Sequence, residues 1–131
     1  MRKLLFIALL PLHLFAQQLT SKEIAVLEKQ AQQVEIIRDK WGIAHVYGKT
    51  DADAVFGFMY AQCEDDFKRV ELNYVEKLGR MAEIEGEKSL FKDLQIRLLI
   101  DSVQAINDYN AAEPWFKKIL NAYADGINYF L

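Results

Sequence analysis

The apolar residues of this sequence change their period at Thr50, and that switch restricts the fold more than any other feature. Before it, in VEIIRDKWGIAHVYGKT (residues 34–50), β-branched and aromatic residues stand in two short runs, Val34 to Asp39 and Ala44 to Gly48, around Lys40-Trp41-Gly42. Two such runs about a glycine predict a β-hairpin over 34–48, because Gly42 can take the positive φ that a tight turn demands. After it, Val55, Met59, Cys63, Phe67, Val70, Tyr74, Leu78 and Met81 recur every three or four residues, the stripe of a helix. Thr50 with Asp53 three residues on has the form of a capping box and marks the start. The pattern lasts to about Glu85 and stops at Gly86, which is long for a globular helix. A bend or break is therefore expected near Glu64 to Asp66 or at Gly79.

The rest of the chain reads as helix. SKEIAVLEKQAQQ (21–33) has Ile24, Leu27 and Ala31 at helical spacing behind Thr20 and Ser21, a short helical lead-in within 17–33. A further helix from Ser89 runs through Leu90, Leu94, Leu98, Ser102, Ala105, Ile106 and Tyr109 to a close at Asn110 to Glu113. Pro114 then opens a last helix with Phe116, Ile119, Leu120, Tyr123, Ile127 and Leu131 along one side. The expected fold class is mainly α with an N-terminal β-hairpin: hairpin 34–48, helices 50–131. The final run Tyr129-Phe130-Leu131 has no cap, and an apolar face left in water there costs about 25 cal/mol per Å². The expectation is of a fragment, truncated within a longer protein.

Residues 1–18, MRKLLFIALLPLHLFAQQ, place Arg2 and Lys3 before an apolar stretch and the small Ala16 before two glutamines. That layout predicts a signal peptide over 1–16, and the apolar stretch is short for a bilayer core of roughly 30 Å. Loss of Arg2 and Lys3 would take the formal charge from −3 to −5, an acidic protein of the periplasm or of secreted type, free of the membrane after signal removal. Acidic and basic residues interleave without forming a basic face, which argues against nucleic acid as a partner. Cys63 is the single cysteine, so no intramolecular disulfide forms and stability rests on packing.

Chemistry is sparse. Nucleophilic catalysis needs a hydroxyl or thiol beside a base. Ser21 and Ser89 sit at helix starts, where a hydroxyl is expected to accept a backbone N–H. Ser102 lies within a helix far from any histidine, and Cys63 falls on the apolar stripe, where a thiol behaves as a small hydrophobe. His45, in a strand, reads as a structural histidine, and alone it makes no zinc site. Glu64, Asp65 and Asp66 are consecutive on a helix, diverge by about 100° each, and are expected to face solvent or pair with Lys68 and Arg69 instead of closing on an ion. Arg38-Asp39 and the i,i+4 pair Asp93/Arg97 read as salt-bridge material. No glycine-rich phosphate loop, paired-cysteine spacing or nucleophile elbow occurs.

The order of these pieces is more specific than any one of them. A hydrophobic strand ending in Arg38-Asp39 leads to Trp41-Gly42, to Ala44-His45-Val46, to Ala61-Gln62 with Glu64-Asp65, and to Gly79-Arg80-Met81-Ala82-Glu83. Asp93 with Arg97 and Tyr123-Ala124-Asp125-Gly126-Ile127-Asn128 follow. The sequence over 34–131 thereby resembles the N-terminal part of the small (α) chain of the penicillin acylase family of N-terminal-nucleophile hydrolases. Two positions depart from that family's pattern: Ala44 stands where proline is usual, and Asp66 stands where an arginine often follows the Glu-Asp pair. They suggest a divergent subfamily.

The resemblance implies part of an αββα N-terminal-nucleophile hydrolase and a precursor cut into two chains. The partner is then the large (β) chain, carrying the nucleophile as its first residue, and the substrate a small acylated amine. None of that machinery falls on this chain. The family exposes its nucleophile after a small residue, typically glycine, yet the residues after the six glycines are Ile43, Lys49, Phe58, Arg80, Glu87 and Ile127. Removal of 1–16 would leave Gln17 first. No catalytic, substrate-binding or metal residue is carried over, and no cofactor is expected in this fragment, calcium being a feature of the full-length enzyme. The competing expectation is a non-catalytic exported helical binding or interaction module.

Overall fold

The computed structural model describes residues 19–131; the signal-peptide reading of 1–16 lies outside them. Within them the order is α1 (Ser21–Ala31), β1 (Val34–Arg38), β2 (Ala44–Gly48), α2 (Asp51–Lys77), α3 (Ala82–Glu85), a 3-10 turn (Glu87–Ser89), α4 (Leu90–Leu99), α5 (Ser102–Ala111) and α6 (Pro114–Phe130). The chain is thus mainly helical with one antiparallel hairpin, in which Val34 pairs with Gly48 and Arg38 with Ala44.

The start signals act as written. Thr20 and Glu23 form a reciprocal capping box at α1, and Thr50 and Asp53 form one at α2. Gly42 turns the hairpin at φ +82°, and the Asp39 carboxylate closes the loop by accepting from the N–H groups of Trp41 (2.8 Å) and Ile43 (3.0 Å). Ser21 and Ser89 do not cap. Thr20 holds the cap position ahead of Ser21, and Ser89 is already in helical backbone, its hydroxyl donating to Glu85 at 2.6 Å.

The long stripe breaks at both expected places. Asp66 leaves helical geometry (φ −160°, ψ 73°), and its carboxylate accepts from the backbone N–H of Arg69 at 3.1 Å. It therefore serves as an N-cap for the second half of α2. The helix ends at Lys77, and Gly79 at φ +61° turns the chain away. One further break was not anticipated: the helix expected from Ser89 to Tyr109 divides at Ile100. Asp101 in extended backbone caps α5 by accepting from Val103 (2.8 Å) and Gln104 (3.2 Å).

The core lies where α2 crosses α6. Phe56, Met59, Cys63, Val70, Ala122 and Ile127 are buried there, and Phe130 stacks on Phe67 at 5.3 Å. The crossing is close because Gly126 faces the Phe56 carbonyl, with Met59 Cβ 3.1 Å from where a side chain would begin. On the other side of α2, Gly57 leaves room for Val34 and Val46, which seat the hairpin. The expected apolar side of α6 is therefore corrected. Small residues Ala122 and Gly126 set the contact, while Phe116, Leu120, Tyr123 and Leu131 stay largely open. On α2, Phe56 joins the core and Tyr74 and Leu78 are exposed, because a stripe counted through the Asp66 kink loses phase.

Candidate functional site

Two polar junctions fix the shape of the chain. At the first, Arg38 reaches from the end of β1 across to α2, where Nη2 donates to Glu64 at 2.9 Å and Nη1 lies 2.8 Å from Asp65. The same Nη1 donates to the Gly42 carbonyl at 2.9 Å, so one guanidinium ties strand, turn and helix together. The acidic cluster is thereby divided: Glu64 and Asp65 face Arg38, while Asp66 pairs with Arg69 at 3.1 Å. Pairing with Lys68 does not occur among the described residues.

Asp39 is not bound to Arg38; it holds the turn, with His45 Nε2 at 3.6 Å. Partial desolvation pushes the Asp39 carboxyl upward, but the N–H donors of Ile43 and Trp41 and the neighbouring His45 outweigh it and hold the group below its ordinary range. His45 is half exposed, and no serine, threonine or cysteine side chain hydrogen-bonds to it among the described residues. A histidine without such a neighbour activates no nucleophile.

At the second junction the expected Asp93–Arg97 ion pair is replaced by something more exacting. Asp93, only 4% exposed, accepts from the backbone N–H of Met81 (3.0 Å) and Ala82 (2.6 Å). Arg97 Nε donates to the Gly79 carbonyl at 2.9 Å. Both side chains of α4 thus bind the backbone of the Gly79-Arg80-Met81-Ala82 corner. Arg80 pairs instead with Glu83, by Nε at 2.8 Å and Nη2 at 2.7 Å.

The remaining chemical candidates are structural. Cys63 is 1% exposed, and burial pushes its thiol above the usual range, the reverse of what a nucleophile needs. Ser102 is the first residue of α5. A hollow of about 250 Å³ is lined by Val34, Ile36, Phe56, Tyr60 and Tyr129. Its polar groups are two phenols, and burial with the nearby Glu64 charge keeps Tyr60 protonated by raising its pKa. No group of three or more His, Cys, Asp or Glu side chains able to hold a metal ion is found among the described residues. The one acidic cluster has its carboxylates taken by Arg38 and Arg69, so these residues do not fit a calcium site. No helix among them is long and apolar enough to cross a membrane.

Comparison with known proteins bears on the whole arrangement. A family model described as Penicillin amidase matches residues 33–131. The chain is 36% identical over 100 residues, 75% of its length, to the Penicillin acylase 2 proenzyme of Pseudomonas sp. (strain SE83). It is 27% identical over 106 residues, 79% of its length, to the Penicillin G acylase of Escherichia coli. To the acyl-homoserine lactone acylase QuiP of Pseudomonas syringae pv. tomato it is 30% identical over 105 residues, 80% of its length. It spans 13%, 12% and 13% of those relatives' own lengths. Among solved structures, a thermostable penicillin G acylase from Alcaligenes faecalis matches in fold with a TM-score of 0.66, at 24% identity, over 72% of this chain and 51% of that one.

Proposed function

The chain belongs to the penicillin amidase family, and on that footing we propose that it is the supporting N-terminal part of an exported amidohydrolase whose reacting atoms lie outside these 131 residues. One observation carries this reading. The family match runs through residues 33–131, while Cys63 and Ser89 are buried and none of the serine or cysteine side chains bonds to His45 among the described residues.

The reaction would be hydrolysis of the C–N bond of a linear amide, the acyl donor being a β-lactam side chain, an acyl-homoserine lactone or another acylated amine. The nucleophile is the hydroxyl or thiol of an amino-terminal residue on the large chain. Its own α-amino group, with a reference pKa of about 7.7–8.0, takes the proton as oxygen or sulfur bonds to the carbonyl carbon. The tetrahedral oxyanion is held by N–H donors and collapses with loss of the amine, which receives that proton. Water then cleaves the acyl-enzyme by the same path, releasing the acid. Any calcium belongs to the large chain or to later residues of the small one.

This chain's contribution is positional. Arg38, Glu64 and Asp65 set the angle of the hairpin on α2, and a two-stranded hairpin is marginal in water without further strands to pair with. The test is hydrolysis of a chromogenic phenylacetyl amide and a fatty-acyl amide. The 131-residue protein alone should be inert, and addition of a large chain of this family should supply activity. Turnover by the isolated chain would refute the reading.

A further inference from the structure

Residues 80–111 stand apart from the core. No residue between Val70 and Ala122 joins either cluster of buried apolar side chains, and within 80–111 the buried residues are Ser89 and Asp93, both polar. The side of α4 turned to the end of α2 is polar too, with Asp93 on the N–H groups of Met81 and Ala82 and Arg97 on the Gly79 carbonyl. Opening this seam therefore brings little apolar surface into water. The hydrophobic term that holds α2 on α6 is missing here.

The ties across the seam are few and wet. Lys92 Nζ lies 3.1 Å from Glu76 of α2, and Arg97 Nε is 2.9 Å from the Gly79 carbonyl. At the far end the Tyr109 hydroxyl donates to Asn121 Oδ1 at 2.8 Å, and Lys117 donates to the Asn110 carbonyl at 2.7 Å, both in exposed positions. Bonds of this kind exchange readily for bonds to water, and an exposed ion pair is weak and screened. The seam is also loosely filled. A hollow of about 250 Å³ lies between Lys77 and Leu78 on one side and Ile96, Arg97, Ile100 and Ser102 on the other.

The backbone has joints where a swing needs them. Gly79 turns at φ +61°, Ile100 and Asp101 are extended between α4 and α5, and Ala112 and Glu113 are extended ahead of Pro114. Residues at element ends are the ones that absorb hinge motion. Between the first two joints, Asp93 on Met81 and Ala82, and Ser89 on Glu85, keep α3, the 3-10 turn and α4 together. We infer that α3–α5 is a jointed strap, which swings against the body formed by α1, the hairpin, α2 and α6, with the Glu76–Lys92 ion pair as its latch. Closed, the strap covers the seam hollow. Open, it uncovers Leu78, Ile96 and Ile100 while the core, which shares no side chain with it, stays packed.

The test reads distances by double electron–electron resonance in the 131-residue protein. Native Cys63, 1% exposed, stays unlabelled while the chain is folded. One spin-label pair joins Lys29→Cys on α1 to Gln95→Cys on α4; the reference pair joins Lys29→Cys to Lys118→Cys on α6, within the body. All three positions are exposed. The strap pair should give a distance distribution at least twice as wide as the reference. It should widen further with Lys92→Ala, and also with Lys92 intact when sodium chloride is raised from about 0.05 to ~1 M, where the Debye length falls to about 3 Å. The reference pair should not change in either case. Equal widths at low salt overturn the strap. So does widening of both pairs together, since the body would then move as much as the strap. A wide strap pair that responds neither to salt nor to Lys92→Ala overturns the ion pair as its latch.

Discussion

Asp93 and Arg97 stand one turn apart on α4 with opposite charges, yet neither binds the other; Asp93 grips the N–H groups of Met81 and Ala82, and Arg97 the carbonyl of Gly79. The pair is a two-point clasp on a backbone corner. Asp93 is buried, so its removal strands two donors. Hydrogen bonds to a charged group contribute about 1.5–3 kcal/mol each, and an unsatisfied buried donor costs a similar amount.

Asp93→Ala is therefore expected to lose about 3 kcal/mol of stability in urea unfolding followed by circular dichroism. Asp93→Asn, which keeps one acceptor oxygen, should lose about half as much. An alanine variant within ~0.5 kcal/mol of wild type would show that the corner holds without the clasp.

The crossing of α2 and α6 makes a second demand. A methyl group at Gly126 would run into the Phe56 carbonyl, backbone that cannot rotate aside. Gly126→Ala gains helix propensity, worth about 1 kcal/mol, but must separate the helices. Overpacking of this kind costs about 1–3 kcal/mol, so the net expectation is a lowered urea midpoint with unchanged slope. A stabilised Gly126→Ala protein would mean that the helices are further apart than described.

The hairpin and the helix starts were legible in the sequence because they depend on neighbours in the chain: Gly42 and its turn, Thr50 with Asp53, Pro114 at the start of α6. The face of α6 was not, because the largest apolar residues, Phe116 and Tyr123, are not the ones that let two helices approach; Ala122 and Gly126 are. The kink was placed near Asp66 by length alone, and the capping role of its carboxylate appeared only with the backbone. The Asp93–Arg97 spacing read as an ion pair since both residues share a helix face, and nothing local in the sequence marks the corner they hold. The burial of Cys63 was legible, since its place in the helical period of α2 is enough to put it in the core.

Burial sets an alkaline limit. Desolvation raises the pKa of the buried Cys63 thiol and of the half-buried Tyr60 phenol. Each group holds its proton more tightly folded than unfolded, so its contribution is complete below the unfolded pKa and is lost as pH rises past it. The decline should begin near pH ~8.5 for the thiol and ~10 for the phenol. Urea midpoints measured from pH 7 to 11 should fall in that window, and Cys63→Ala should delay the first part of the fall. Native Cys63 should also react with iodoacetamide at least tenfold more slowly at pH 8 than after unfolding.

The last prediction concerns Arg38, whose guanidinium serves three acceptors on three elements. About a third of each of the Arg38 and Glu64 side chains is exposed, so solvent screens the charges and a single pair of this kind contributes little. Geometry decides the substitution pattern. Lysine carries the same charge but one compact head, which cannot address Gly42, Glu64 and Asp65 together. Arg38→Lys should therefore lose nearly as much as Arg38→Ala, and the loss should shrink as sodium chloride is raised from about 0.05 to ~1 M, where the Debye length falls to about 3 Å. Hydrogen exchange at the Val34–Arg38 and Ala44–Gly48 amides should quicken in both variants while that of α6 is unchanged. Full rescue by lysine would mean that charge alone, and not the fork, seats the hairpin on α2.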